Sequence, residues 1–279
     1  MLEFIHDLTT YAFLQKALIT AIVVGVLSGV VGSFIILKGM ALMGDAISHA
    51  ILPGVVISYM LGINYFIGAV AMGMLTTYLI AHVSHHTKLK NDVPIGVIFS
   101  AFFALGIVLL LQAQTALDLT QILFGNVLTI KDSDMTLTFI VGIVVLLIIA
   151  IFYKEFLITS FDPEIAKVYG INVNFFNSLL MFLLTLVTVA SLQTVGVILV
   201  VSMLVTPAAT AFLLTEKMKR MILISATLGG VSSVIGLYLS FTYNLSSGAV
   251  IVLVLFGFFV LAYLFAPKEG LLTKRRQQT

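Results

Sequence analysis

Between Ala46 and Ala81 the chain reads AISHAILPGVVISYMLGINYFIGAVAMGMLTTYLIA, without a single Asp, Glu, Lys or Arg. Val168–Thr215 and Met221–Pro267 are equally free of charge. A helix crosses the hydrocarbon of a bilayer with about 20 apolar residues. Each of these runs is too long for one crossing and holds two, with breaks expected near Gly62-Ile63-Asn64, Ser191-Leu192-Gln193 and Asn244–Gly248. Ala17–Leu37, Val93–Gln112 and Met135–Tyr153 add three more, so nine spans are expected. Composition agrees. The 279 residues are 61% hydrophobic and 9% charged, against about 25% charged in soluble domains. So few charges cannot cover a water-facing surface. The expected fold class is an all-α polytopic transmembrane helical bundle. Eight or ten spans are the alternatives, if the first segment is broken or the N-terminal lead-in is buried.

Residues 1–16 read as an amphipathic lead-in at the membrane surface, because Glu3, His6 and Asp7 interrupt what would be the apolar core of a cleavable signal. Residues 17–267 form the transmembrane domain, and 268–279 a basic tail. The stretch 117–130, LDLTQILFGNVLTI, is too short to span and reads as a re-entrant or surface helix. Nine spans place Lys38, Lys88, Lys90, Lys154, Lys167, Lys217, Lys219, Arg220, Lys268, Lys274, Arg275 and Arg276 on one side, and only Lys16 and Lys131 on the other. Loops rich in Lys and Arg stay in the cytoplasm. The C-terminus is therefore expected inside the cell and the N-terminus outside.

The absence of cysteine excludes disulfide frameworks and thiolate metal sites. No P-loop, HExxH or GxSxG occurs, which removes support for an ATPase, a zinc protease or a serine hydrolase. The basic residues are accounted for by topology, so nothing points to nucleic acid. Gly25, Gly29 and Gly32 have the small-residue spacing that lets membrane helices approach closely, read here as packing within one chain. Pro207 is expected to kink or break the seventh span, with Thr206 able to satisfy a freed backbone group.

Three features carry chemistry. Asp45 and His49 are spaced i, i+4 and share a helix face. An ionisable residue within a membrane span marks a function by default. A carboxylate oxygen and an imidazole nitrogen suit Mn²⁺, Zn²⁺ or Fe²⁺. Two ligands do not enclose an ion, but a two-fold dimer would bring four to one axis. The alternative is that Asp45 caps the second span and His49 only packs. The second feature is TSFDPEIAKVYGINV, residues 159–173. Asp162 before Pro163 and Glu164 is a helix-start signature and Gly170 a stop, so a helix of about two turns should lie in a cytoplasmic loop, suited to docking or merely connecting. The third is HVSHHTKLK, residues 82–90. His82, His85 and His86 could bind metal, but a surface loop is the preferred reading.

The segments GMALMGDAISHAILPGV, ILFGN, SFDPEIAKVYGI and VGVILVVSMLVTPAATA resemble the membrane permease subunits of bacterial manganese/zinc ABC importers, over about residues 10–268. The chain looks most like the manganese permeases of Gram-positive bacteria. That resemblance implies a cell-membrane homodimer that is not itself an enzyme, served by cytoplasmic ABC ATPase subunits and an extracellular metal-binding lipoprotein. Mn²⁺, or Zn²⁺, would be the transported substrate, with no cofactor bound permanently. Asp45 and His49 match positions associated with the ion in the pathway. The 161–171 segment, with Phe161, Asp162, Pro163, Glu164, Ala166 and Gly170, matches the coupling helix that meets the ATPase. Alternatives are a zinc or iron importer of the same design, or a gradient-driven secondary transporter with Asp45 as proton carrier. A membrane enzyme lacks a recognisable nucleophile and base.

Overall fold

The computed structural model describes residues 8, 10–89, 92–113 and 130–266. Most of the lead-in, the basic tail and almost all of 117–130, including ILFGN, lie outside them. All regular structure among the described residues is helical: α1 (Ala12–Leu37), α2 (Met43–Ala50), α3 (Leu52–Leu61), α4 (Tyr65–His86), α5 (Asp92–Gln112), α6 (Asp132–Ile151), α7 (Tyr153–Phe161), α8 (Pro163–Val168), α9 (Val173–Val195), α10 (Val197–Leu214), α11 (Met218–Tyr243) and α12 (Ser247–Phe265). Nine stretches among the described residues are long and apolar enough to cross a membrane, with α2 and α3 together making the second. The expected breaks at Gly62 and Asn244 are where the chain turns, both in left-handed conformation. The sixth and seventh spans part at Gly196 rather than at Ser191–Gln193.

Helix α1 is the axis of the bundle and is buried along most of its length. It packs against α11 through glycine. A methyl group placed on Gly25 would sit 2.6 Å from the Gly229 carbonyl oxygen, and one on Gly29 would sit 2.7 Å from that of Ser225. Backbones this close gain dispersion contacts that larger side chains would prevent, which is how helices associate where lipid supplies no hydrophobic drive. The Ser233 hydroxyl donates to the Ala21 carbonyl across the seam at 2.9 Å. Lys16 at the start of α1 pairs with Asp132 at the start of α6.

Pro207 does not break the seventh span, since α10 runs through it. The hydroxyl that bonds beside it belongs to Thr210, which donates to the Thr206 carbonyl at 2.7 Å. At the other end of the bundle Phe156 of α7 is fully buried. Its ring lies 5.9 Å from Phe34 of α1 and 5.6 Å, edge-on, from Phe176 of α9. These contacts fasten the α7–α8 segment to two spans at once.

Candidate metal site and coupling segment

Five residues separate the end of α1 from the start of α2, and Asp45 falls in the first turn of α2. The N-cap residue is Leu42, and no side chain caps the helix. Asp45 therefore does not fill the capping role, although its charge lies at the end of the helix dipole that favours an anion. One turn on, the His49 Nε2 stands 3.4 Å from Asp45 Oδ1, with the side chains 22% and 43% exposed respectively. That separation is long for a hydrogen bond. It matches the edge of a tetrahedron with bonds of about 2.1 Å, roughly 3.4 Å, as two ligands on one ion would present. The Asp45 and His49 pair is incomplete by itself. Among the described residues no three or more His, Cys, Asp or Glu side chains gather anywhere.

The surroundings of His49 are aromatic. Its ring centroid lies 5.1 Å from that of Phe103, edge-on, and 5.7 Å from that of Phe99, both on α5. Both rings pack against the imidazole. Ser48 Oγ donates to the Gly44 carbonyl at 2.8 Å, leaving that hydroxyl committed within the helix. Pro53 opens α3 just beyond, and it has no N–H to offer the His49 carbonyl, which accounts for the interruption at Ile51 between the two short helices.

The SFDP segment folds as its residues dictate. Asp162 Oδ1 accepts the N–H groups of Glu164 and Ile165, each at 3.0 Å, with Pro163 in the first turn. At the far end Gly170 has φ +74°, a conformation glycine adopts at little cost. Gly170 N–H donates to the Lys167 carbonyl at 3.0 Å and Ile171 N–H to that of Ala166 at 2.9 Å. This pair of bonds is a Schellman closure. Lys167 pairs with Glu164 at 2.8 Å. Ala166 is fully buried, while Phe161, Ile165, Val168 and Tyr169 present exposed apolar surface, Val168 being 86% exposed. Beside them an open groove of about 750 Å³ is floored by Tyr153 and Leu157 and edged by Lys217, Lys219 and Arg220.

The rings of His82 and His86 lie 4.3 Å apart between centroids, tilted by 31°, and the His82 carbonyl lies 2.8 Å from His86 Nδ1. Both are exposed. The His85 side chain lies outside the described residues. Sequence reading missed Phe99, Phe103 and the surroundings of Lys38. In a phenylalanine-rich span nothing marks which rings back a site, although the i, i+4 spacing of Phe99 and Phe103 was available.

Nine stretches among the described residues are long and apolar enough to cross a membrane, which defines a multi-pass membrane bundle with the Asp45–His49 pair and the capped helix α8 set in it. Residues 10–266 match the model of the ABC 3 transport family, and the chain belongs to that family. It is 58% identical over 275 residues to the manganese transport system membrane protein MntC of Listeria monocytogenes, covering 99% of this chain and 98% of that one. It is 51% identical to the manganese import system permease protein ScaB of Streptococcus gordonii, covering 98% of each. Among solved structures, PsaBC from Streptococcus pneumoniae in complex with Fab matches with a TM-score of 0.88 at 50% identity, over 98% of this chain and 99% of that one.

Proposed function

We propose that this permease carries Mn²⁺ into a bacterial cell, with Asp45 and His49 holding the ion as it passes. The pair of donors 3.4 Å apart inside an otherwise apolar span carries the reading. The near full-length likeness to proteins named for manganese transport supports the choice of metal. A divalent ion loses its water shell on entering an apolar passage, and an anionic oxygen is the efficient replacement. The His49 nitrogen adds a second donor, and Phe99 and Phe103 beside it would limit how much water returns. Because one chain supplies two ligands, a second copy related by a two-fold axis would complete a four-donor set. A site this sparse also releases its ion, which transport requires.

Energy comes from elsewhere, since the sequence has no nucleotide-binding P-loop. The exposed apolar face of Phe161, Ile165, Val168 and Tyr169 is a surface for a cytoplasmic ATPase partner. A metal-binding lipoprotein would deliver the ion from outside. This assembly requires α8 on the cytoplasmic side, in keeping with the distribution of basic residues.

The test is uptake of Mn²⁺ by vesicles holding the permease with its ATPase, at matched expression. Asp45→Asn keeps size and most hydrogen bonding but removes the charge, and uptake should fall at least tenfold. His49→Ala should fall similarly, and the double variant should be little worse, because both act on one site. Near-normal uptake by Asp45→Asn would refute the ligand role. The same vesicles offered Zn²⁺ and Fe²⁺ decide the metal.

A further inference from the structure

At the end of the bundle that carries α8, a cavity of about 900 Å³ opens between α1, α4, α9 and the α7–α8 junction. Met40, Met43, Met74, Met181, Ile80 and Phe182 are among the apolar residues that line it. Lys38, Asn174, Asn177, Ser178 and Ser160 are among the polar ones, and among the described residues no carboxylate lines the cavity.

Lys38 is the unusual member. It follows α1 directly, and its ammonium meets the Asn177 side-chain oxygen. Among the described residues it is paired with no Asp or Glu. Burial pulls its pKa down to about 8. Lys38 is half-buried, and a cation that loses part of its hydration without gaining an anion is destabilised. Ser160 repeats the deficit, with a buried hydroxyl oxygen that has no hydrogen-bond partner among the described residues. His82, His86 and Tyr78 also line the walls. A transported cation is repelled by such a site, whereas a phosphate supplies what both deficits lack.

We propose that this cavity binds the phosphate of an anionic phospholipid, the phosphate on Lys38 and Ser160 and an acyl chain along the methionine wall. Lys38 supplies the charge, and Ser160 Oγ donates its proton in a hydrogen bond to a phosphate oxygen. The side chains of Asn174 and Asn177 offer further amide donors. The apolar wall is what favours a lipid over a free phosphate ion of the same chemistry. The bound lipid would sit between Met43, two residues from Asp45, and Pro163 of α8. It would thus join the candidate metal site to the coupling segment.

Binding can be read without transport, so its failure is separate from any failure of the manganese reading. The delipidated full chain with its ATPase is titrated by native mass spectrometry with dioleoyl-phosphatidylglycerol, with dioleoylglycerol, which lacks phosphate, and with inorganic phosphate. The expected result is saturable binding of phosphatidylglycerol, at least tenfold weaker in Lys38→Met and kept within about threefold in Lys38→Arg. Ser160→Ala should weaken it a few-fold. Dioleoylglycerol should bind at least tenfold less tightly. Inorganic phosphate binding with the same dependence on Lys38, and no lipid binding, would overturn the lipid assignment and leave a free-anion site. Equal binding by the wild type and Lys38→Met, or by the two lipids, would overturn the proposal entirely. Should Lys38→Met fail to fold, loss of binding in Lys38→Arg or full binding in Ser160→Ala would count against it.

Discussion

Lys38 makes a prediction about pH through its burial. Its folded pKa of about 8 lies below the ordinary 10.5. A lysine depressed in this way is protonated more readily in the unfolded chain. The cost is therefore complete below pH 8 and is relieved as pH climbs towards 10.5, so this residue's contribution to stability rises across that window. In delipidated protein, Lys38→Met should melt higher than the wild type at pH 7, and the gap should narrow by about pH 10. A gap that does not change with pH would show that the ammonium is well solvated. Gly25 is the second residue-scale case. Gly25→Leu must force apart backbones that an added methyl already approaches to 2.6 Å. The cost exceeds the 1–3 kcal/mol typical of overpacking, and the yield of monodisperse protein after extraction should collapse. What was legible at this scale followed from periodicity. Asp45 and His49 share a face because i and i+4 do, and the small-residue spacing of Gly25 and Gly29 pointed to close packing. Burial of Lys38 was not legible, because the rule that places lysines at a membrane boundary says nothing of their depth.

Among the elements, α8 is the one whose local code is complete in the sequence. Asp162, Pro163 and Gly170 each do what their type predicts at a helix end, so the helix stood out between two apolar spans. Ala166 N–H donates to the Asp162 carbonyl at 3.0 Å. Ala166→Pro removes that bond and places a ring in the helix interior, a change worth about 3 kcal/mol. The variant should still reach the membrane but lose its ATPase in co-purification. Retention of the partner would rule out α8 as the dock. Asp162→Ala is milder, about 1 kcal/mol for the lost cap, and should weaken the association without abolishing it. Helix α7 was not foreseen. The fit of Phe156 between Phe34 and Phe176 shows why YKEFLITSF coils after the fifth span. The break between the sixth and seventh spans misled for a related reason. Ser191 and Gln193 looked like a turn, yet Ser191 is fully buried and the chain turns at Gly196, where φ is +82°.

For the whole molecule the span count was legible because charge-free length is a direct reading of bilayer thickness, and lipid exposure tolerates few alternatives. Sidedness remains a matter for labelling. The chain has no native cysteine, so Ser84→Cys at the end of α4 and Ser133→Cys at the start of α6 can each be probed alone. The first should react only from the cytoplasm and the second only from outside, as read with an impermeant maleimide on intact cells. Reaction of both from one face would overturn the orientation. The partners of the bundle were not legible from the chain itself, since an interface and a lipid-facing surface are built from the same apolar residues.

The glycine seam between α1 and α11 has a consequence for handling the protein outside its membrane. Detergents dissolve a bundle by sliding alkyl tails between side chains. Where backbone meets backbone at Gly25 and Gly29, there is no gap for a tail to enter and little side-chain surface for it to solvate. Helices α4, α5 and α6, by contrast, turn Ile67, Val97, Leu111 and Ile140 outward. Solubilisation should thus loosen the periphery first, and a harsh surfactant should leave α1 and α11 clasped after the outer helices have come away.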